Sequence, residues 1–237
     1  MNQRSYASEG FLCLHKPPGI SSFKCIPWLR KLTGIKKIGH AGTLDPFASG
    51  LLILGIGKSY TSQLDLIQSL PKTYRIRCRL GLKTDTADCY GAVIHEDKNK
   101  GAYKEADIEN RILNLPGTIL QQPPIFSAKK VNGKRAYQLA RHGEVPELKP
   151  KEVTIYSSEL ILYHYPYIDF EVRCSKGTYA RQIVVDLAAQ LDTVAYTLCL
   201  IRSEIGPFSL GKSVLYHQLS TSVIAQNIIK QQLNYAK

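Results

Sequence analysis

The chain has 237 residues, of which 44% are hydrophobic, and a formal net charge of +12 at pH 7, so it can bury the core of one large domain or two small ones. No apolar run approaches the roughly 20 residues that a membrane-spanning helix needs, and the first residues lack the apolar stretch of a signal peptide. The six cysteines form no C-x-x-C pair, which argues against a zinc ribbon or a redox dithiol and favours a reducing, cytoplasmic location.

The positive charge is concentrated in two segments. Residues 24–37 contain five basic residues and no acid, and residues 127–151 contain seven basic residues and two glutamates. Clusters of this kind attract the phosphate backbone of a nucleic acid. A solvated basic face explains them equally well on charge alone, so both interpretations stay open.

The first elements are a strand and a helix. Residues 11–14 form an apolar strand that ends at the turn 16–19. Ser21 or Ser22 can cap the following helix, and Pro27 makes that helix begin late or kink. Gly34 is expected to end it. The spacing places one side of the helix in the core, namely Phe23, Ile26, Leu29 and Leu32.

The next segment, residues 39–46, reads GHAGTLDP and holds one carboxylate, Asp45, in a glycine-rich loop. Pro46 favours an extended conformation at Asp45, and the apolar run 51–54 follows. An aspartate presented in this way is a candidate nucleophile or general base. The pattern is also typical of an Asx turn that leads into a strand, and spacing alone favours this second interpretation.

Later segments alternate between strand and helix patterns. Residues 74–80 alternate apolar and arginine side chains, which predicts a half-buried strand with a cationic outer face. Asp107 and Thr178 are candidate caps of two helices, and strands are expected at 153–156, 160–165 and 168–174. This order predicts an α+β fold.

Two other motifs fail on inspection. Gly57, Lys58 and Ser59 resemble the end of a phosphate-binding loop, but Leu52 stands where that loop requires glycine. Asp85, Asp88 and His95 lack the spacing of a metal site, so a polar turn between strands is expected there.

The segment 39–52 resembles the catalytic-aspartate motif of the bacterial tRNA pseudouridine synthase B (TruB) family. Five further segments resemble motifs of that family and follow in the family's order, so that the resemblance runs from about Gly10 to about Leu219. These segments are 16–22, 72–76, 81–88, 122–128 and 174–181.

The resemblance implies the pseudouridine synthase fold, a mixed and mostly antiparallel sheet with flanking helices around a central cleft. It also implies isomerisation of uridine 55 in the T loop of tRNA, with the base flipped out of the stack. Asp45 is then the essential carboxylate, Arg181 the cation that pairs with it, and Tyr74 the residue that stacks on the flipped base. Substrate-binding positions are implied at His40, Lys16, Tyr179, Leu200, Lys129 and Lys130.

No cofactor and no metal are expected, because the isomerisation adds and removes nothing. The carboxylate can attack C1′, attack the base or remove a ribose proton, and the sequence does not choose among these. The expected partner is the T arm of tRNA, with no membrane, no obligate protein partner and a monomeric state. The expected domains are a catalytic domain at 1–219, with a basic RNA-contacting segment at about 120–151, and a short tail at 220–237. The RNA-binding domain that follows in the family is expected to be absent or vestigial, and tRNA affinity correspondingly weaker.

Two alternatives remain from the sequence. One is a guide-RNA-dependent pseudouridine synthase of the archaeal and eukaryotic type, which relies on partner proteins. The other is an RNA-folding chaperone whose binding matters and whose turnover does not.

Overall fold

The computed structural model describes residues 9–97, 103–127, 129–131, 133–144 and 146–230. The described chain divides into two compact units. One unit is formed by the described residues up to Thr73 and from Ile201 onward, and the other by Tyr74–Leu200. Strand and helix are mixed along the chain, so the predicted α+β class is confirmed.

The strands of the described residues range in length from 2 to 14 residues. They are β1 (Gly10–Lys16), β2 (Ile38–Ala41), β3 (Ser49–Ile56), β4 (Lys72–Leu80), β5 (Leu82–Thr84), β6 (Val93–Glu96), β7 (Gly117–Gln121), β8 (Lys130–Val131), β9 (Lys134–Arg135), β10 (Lys151–His164), β11 (Tyr167–Cys174), β12 (Ala195–Ile205), β13 (Phe208–Ser209) and β14 (Val214–Leu215).

The α-helices of the described residues lie between these strands or after the last of them. They are α1 (Cys25–Thr33), α2 (Lys58–Thr61), α3 (Leu64–Ser69), α4 (Glu105–Leu113), α5 (Ala136–Arg141), α6 (Ala180–Ala189) and α7 (Thr221–Asn227).

In the first unit the strand order is β14-β1-β3-β12, and β2 also pairs with β3. Strand β1 runs antiparallel to β3, from Gly10 opposite Ile56 to Lys16 opposite Gly50. Because β3 is covered on both faces, it reads as an almost continuous apolar run. One face packs against α1 through Leu12, Leu14, Leu52 and Leu54, and the other packs against α3 through Phe11, Cys13, Leu51 and Ile53.

In the second unit the strand order is β12-β4-β11-β10-β7. The alternation predicted for β4 is confirmed, because Ile76, Cys78 and Leu80 are buried. On the opposite face Arg75 forms an ion pair with Glu171 at 3.0 Å, and Arg77 pairs with Asp169. The outer face of β4 is therefore cationic and matched by acids on β11.

The structure corrects several local predictions. Helix α1 begins late, at Cys25, so that Pro27 lies in the first turn, where no amide donor is needed. Neither Ser21 nor Ser22 caps it, and Phe23 is 64% exposed rather than in the core. Gly34 ends the helix in a left-handed conformation, as predicted.

Three further local predictions are wrong. The cap positions of α4 and α6 are Lys104 and Tyr179, so Asp107 and Thr178 cap neither helix. The Thr178 hydroxyl instead donates to the Ser175 carbonyl at 2.9 Å. The two strands expected at 153–156 and 160–165 are one strand, β10, which stays continuous across two register shifts.

The described residues after Leu219 pack onto the core of the first unit. The Thr221 hydroxyl donates to the Leu32 carbonyl at 3.0 Å, Ile224 is fully buried, and Ile229 pairs with Phe11. This segment adds to an existing core, and the predicted domain limits at 219 and 220 stay a prediction. Among the described residues, no helix is both long and apolar enough to cross a membrane.

A close approach of two main chains in the first unit joins β3 to β12. The two strands are parallel, with Ser49 opposite Ile201 and Gly50 opposite Arg202. A Cβ atom on Gly50 would lie 2.4 Å from the Arg202 carbonyl oxygen, and Gly50 has a φ of +111°. Only glycine satisfies both conditions, because it has no Cβ and tolerates positive φ.

We therefore expect Gly50→Ala to lower the free energy of unfolding by about 3 kcal/mol, the sum of backbone strain and overpacking. Urea unfolding followed by circular dichroism measures the change. Gly211→Ala is the matched control, since a Cβ there meets nothing within 4 Å. Equal stability of the two variants would contradict the prediction.

Candidate active site

Asp45 lies in the loop between β2 and β3, in the first unit. The loop leaves β2 through Gly42, whose φ is +76°. It closes in a turn in which the Ala48 amide donates to the Asp45 carbonyl at 3.1 Å. The main chain of Asp45 therefore takes part in closing this turn.

A buried serine holds the residue before Asp45. The Ser22 hydroxyl accepts a hydrogen bond from the Leu44 amide at 2.9 Å and donates one to the Leu44 carbonyl at 3.2 Å. The Gly19 amide donates to the Pro46 carbonyl at 2.8 Å. Both neighbours of Asp45 are thus tied to the turn that follows β1, which restricts the main chain on either side of the carboxylate.

A buried arginine holds the two ends of the same loop. Arg202 is 1% exposed. Its Nε donates to the Leu51 carbonyl at 2.8 Å, and its Nη2 donates to the Gly42 carbonyl at 3.0 Å. Because these carbonyls lie before and after Asp45, the guanidinium joins the two ends of the loop and places a positive charge beside them.

Lys16 supplies a second buried cation at the end of β1. Its side chain has no exposed surface. The amine donates to the Pro17 carbonyl at 2.8 Å and to the Ile20 carbonyl at 2.7 Å. Lys16 therefore holds the turn that follows β1, and this turn contains Gly19, which donates to the Pro46 carbonyl. His40, which precedes this loop, lies in β2 opposite Leu54 and is half-buried.

In the second unit, Arg181 lies in the first turn of α6 and is 3% exposed. Its guanidinium donates to the Thr86 carbonyl at 2.7 Å and to the Phe126 carbonyl at 2.8 Å. The nearest Asp88 carboxylate oxygen lies 3.6 Å away. Asp88 also accepts hydrogen bonds from the Thr86 hydroxyl and the Tyr90 amide. This turn is therefore built around an arginine, and it is more than a polar connection between strands.

Tyr179, the cap residue of α6, is held by a buried amide from β7. The Gln121 side chain accepts from the Tyr179 amide at 2.8 Å and donates to the Tyr179 carbonyl at 3.1 Å. Gln121 is 2% exposed. It fixes the start of α6 two residues before Arg181, so one side chain sets the position of both residues.

The remaining expected site residues lie on strands and in the basic segment. Tyr74 in β4 and Leu200 in β12 are buried. Lys129 donates to the Lys149 carbonyl at 3.0 Å, which closes the segment containing β8, β9 and α5. The side chain of Lys130 lies outside the described residues. Lys16, His40 and Asp45 thus lie in the first unit, and Tyr74, Lys129, Tyr179, Arg181 and Leu200 lie in the second.

The described residues contain no group of three His, Cys, Asp or Glu side chains that could hold a metal ion. Asp85 accepts a hydrogen bond from the Ala92 amide, and His95 lies in β6 opposite Lys83. The polar turn expected at these residues is present between β5 and β6.

Sequence reasoning missed four residues that position the site, namely Ser22, Asp88, Gln121 and Arg202. A signal existed for Arg202, because it directly follows the apolar run 198–201, and a charge buried in such a strand needs a hydrogen-bonding partner. Asp88 lies in the motif 81–88, but its partner Arg181 lies far along the chain, so the sequence did not show the pair. Ser22 and Gln121 carried none, since their roles depend on which loop packs beside them.

Residues 30–180 match the model of the TruB family pseudouridylate synthase (N terminal domain). The tRNA pseudouridine synthase B of Protochlamydia amoebophila is 40% identical over 223 residues, which cover 94% of this chain and 84% of that protein. The tRNA pseudouridine synthase B of Clostridium tetani is 38% identical over 221 residues, which cover 93% of this chain and 76% of that protein.

Solved structures share the fold. A chain of a Cbf5–Nop10–Gar1 complex matches with a TM-score of 0.68 and 25% identity, over 89% of this chain and 53% of that chain. A chain of an H/ACA RNP bound to a substrate RNA containing 2′-deoxyuridine matches with a TM-score of 0.69 and 21% identity, over 93% and 58%. This chain spans a little more than half of each.

The predicted pseudouridine synthase fold is confirmed by these similarities. The family model covers most of the chain, and relatives about 40% identical cover nearly all of it. The chain belongs to the TruB family of pseudouridylate synthases.

Proposed function

We propose that this protein is a tRNA pseudouridine synthase that isomerises uridine 55 in the T loop of tRNA, with Asp45 as the essential carboxylate. The observation that carries the proposal is the Asp45 loop, which has the family's motif sequence and is held by buried Ser22 and Arg202. The names of the relatives, each a tRNA pseudouridine synthase B, support the substrate.

The reaction breaks the N1–C1′ bond of uridine and forms a C5–C1′ bond. The C5 proton leaves, N1 gains a proton, and the product is an isomer of the substrate. The carboxylate of Asp45 can serve by attacking C1′, by attacking the base or by removing a ribose proton. Each of these needs a carboxylate held in one place while the base turns, because misplacement of a reacting group is costly to rate.

The Asp45 loop meets that need. Ser22 restrains the main chain immediately before Asp45, and Arg202 joins the two ends of the loop. A loop fixed by buried hydrogen bonds does not have to be ordered when the substrate binds, which lowers the barrier to reaction. We assign Ser22 and Arg202 as positioning residues and Asp45 as the catalytic residue.

Arg181 and Tyr74 are the proposed partners of Asp45 in catalysis. Arg181 is held by two main-chain carbonyls and Asp88, so its guanidinium is presented in a fixed orientation. We propose that it pairs with the Asp45 carboxylate and that Tyr74 stacks on the flipped uracil. His40, Lys16, Tyr179, Leu200, Lys129 and Lys130 are proposed to line the substrate site.

The proposed substrate is the T arm, a folded RNA that proteins recognise by shape, stacking and phosphate contacts. The uridine must leave the stack before C1′ and C5 become accessible. The basic segment 120–151 is proposed to contact the RNA backbone. A monomer without an obligate protein partner, acting in the cytoplasm, belongs to the same proposal.

The buried amine of Lys16 makes the free energy of unfolding depend on pH. Burial lowers the pKa of Lys16 from 10.5 to about 8; the nearby Cys25 and Asp45 oppose this shift, and Arg202 adds to it. Between these two pKa values the unfolded chain carries a proton that the folded chain lacks. The free energy of unfolding therefore gains a contribution as the pH rises through this range.

Asp45→Asn is expected to slow the reaction at least about a thousandfold, because an amide is a far weaker nucleophile and base. The assay is tritium release from a tRNA transcript labelled at C5 of uridine, without any guide RNA. Wild type should release about one equivalent from uridine 55, and both proteins should bind the transcript within about threefold of each other.

Asp65→Asn, on the exposed side of α3, is the control and should retain full activity. Retained activity in Asp45→Asn would remove Asp45 from the mechanism. Tight binding by wild type without release would favour the RNA chaperone, and release only with a guide RNA would favour the guide-dependent type.

Asp88→Asn is expected to lower kcat at least about tenfold, because it removes a buried charge beside Arg181. Steady-state kinetics on the same transcript measure it. Asp85→Asn, in the same turn but exposed, should stay within about twofold of wild type. Equal kcat values for the two variants would show that the position of Arg181 does not depend on Asp88.

Lys16→Met should remove the pH-dependent contribution. The free energy of unfolding of wild type minus that of Lys16→Met is expected to rise between pH 8 and 10, by up to about 1.4 kcal/mol per pH unit. Urea unfolding at a series of pH values measures it, with Lys58→Met as a control for loss of an exposed lysine. A difference that stays constant or falls would contradict the burial of the charged amine.

A further inference from the structure

We propose that the exposed face of α1 is a second RNA-contacting surface, where aromatic rings stack on nucleotides next to the target uridine and basic side chains contact their phosphates. This inference rests on the proposed function and names a further part of its RNA-binding surface. We call it the α1 surface, and it consists of Phe23, Lys24, Trp28, Arg30 and Lys31, continued by Lys36 and Lys37.

The charge of the α1 surface is unbalanced. From Gly10 to Leu44 the chain contains no acidic residue. All five of its basic side chains are exposed. The outer face of β4 differs, because Arg75 and Arg77 there are paired with acids of β11. A basic surface of this kind is complementary to a polyanion, and a phosphate backbone is the polyanion that the proposed function supplies.

The aromatic residues of the α1 surface are not used by the core. Cys25, Ile26 and Leu29 fill the buried side of the helix, each at most 4% exposed. Phe23 remains 64% exposed and Trp28 38% exposed. Exposed rings among basic side chains are the usual platform for stacking single-stranded nucleotides, and stacking accepts any base.

Trp28 is also in contact with a cation. The Lys31 amine lies 5.5 Å from the centroid of the Trp28 ring. This contact holds the ring beside a positive charge, so that a base on the ring and a phosphate on the amine can be bound together.

The helix dipole does not explain the surface. Arg30 and Lys31 lie in the last turn of α1, where positive charge is favourable. Lys24, however, is the cap residue at the other end of the helix, where positive charge is unfavourable. Lys36 and Lys37 lie beyond the helix. Neither these lysines nor the exposed rings are accounted for by helix stability.

The position of the surface fits nucleotides that flank the target. Phe23 directly follows Ser22, whose hydroxyl is bonded to both main-chain polar groups of Leu44. Leu44 is the neighbour of Asp45. The start of α1 is therefore joined through Ser22 to the neighbour of Asp45, and we expect Phe23 to contact nucleotides that flank the target uridine.

The first test uses the fact that Trp28 is the only tryptophan in the sequence. An unmodified T-arm hairpin RNA is titrated into Asp45→Asn protein, which prevents turnover, and tryptophan fluorescence is followed. We expect a saturable change whose midpoint equals the Kd from anisotropy of a labelled hairpin. RNA binding without any change in Trp28 fluorescence would overturn the inference.

The second test uses variants in the wild-type background. Phe23→Ala with Trp28→Ala should raise KM for the hairpin at least about fivefold and leave kcat within about twofold, because stacking there holds RNA without touching the reacting atoms. Lys24→Gln, Arg30→Gln and Lys31→Gln combined should reduce the salt dependence of binding. The expected reduction in slope is about 0.7 to 0.9 for each phosphate that the variant protein no longer neutralises.

Arg75→Gln with Arg77→Gln is the matched control for loss of exposed positive charge, and it should change neither KM nor the slope. Thermal unfolding checks that every variant is folded. If wild type binds and converts the hairpin, and the α1 variants keep its KM and its salt dependence of binding, the inference about the α1 surface is overturned. The proposed function is unaffected by that result. Absence of both RNA binding and tritium release in wild type would instead refute the proposed function itself.

A second copy of the chain is the competing occupant of the α1 surface. Sedimentation of the protein without RNA tests it, together with the dependence of Trp28 fluorescence on protein concentration. A dimer that Trp28→Ala dissociates would assign the surface to self-association and overturn the inference. A monomer at all concentrations supports RNA as the occupant.

Discussion

The close approach of β3 to β12 at Gly50 is the constraint on which the Asp45 loop depends. Because Gly50 has no Cβ, the main chain of Arg202 can pair directly with it. The Arg202 side chain then reaches the Gly42 and Leu51 carbonyls at the two ends of the loop. A guanidinium this deeply buried is tolerable only with such acceptors. The strand pairing and the shape of the site are therefore one property of the fold.

Buried polar side chains also hold the main chain beside Asp45 and beside Arg181. A buried polar side chain satisfies the amide and carbonyl of one residue at a loop or helix start, as Ser22 does for Leu44 and Gln121 does for Tyr179. Each arrangement restrains main chain that carries Asp45 or Arg181. Hydrogen bonds in a low-dielectric interior are strong and costly to leave unmade. Such restraint holds in place the groups to which we assign catalysis in the proposed function.

Positive charge is used in distinct ways within one strongly basic chain. Arg202 and Lys16 are buried and bound to main-chain carbonyls, where they shape loops. Arg75 and Arg77 are matched by acids across neighbouring strands. The α1 surface is exposed and lies in a stretch of sequence without acids, and this is the pattern that leaves charge available to a polyanion. Net charge alone does not separate these uses, since it counts buried and paired cations with the rest.

The sequence by itself determined the α+β class, the alternating strand β4, the end of α1 at Gly34 and the family through ordered motifs. Those features depend on local periodicity, backbone chemistry and residue types at short spacing. Tertiary structure decided the roles of Ser22, Asp88, Gln121 and Arg202, because each acts on main chain or charge that lies far away in sequence. It also decided that Phe23 faces solvent, since a three-residue turn of 3-10 helix rotates it away from the apolar stripe of α1. The predicted apolar spacing assumed one continuous α-helix. Residues 22–24 instead form a 3-10 helix, which has fewer residues per turn, so the spacing does not hold for Phe23.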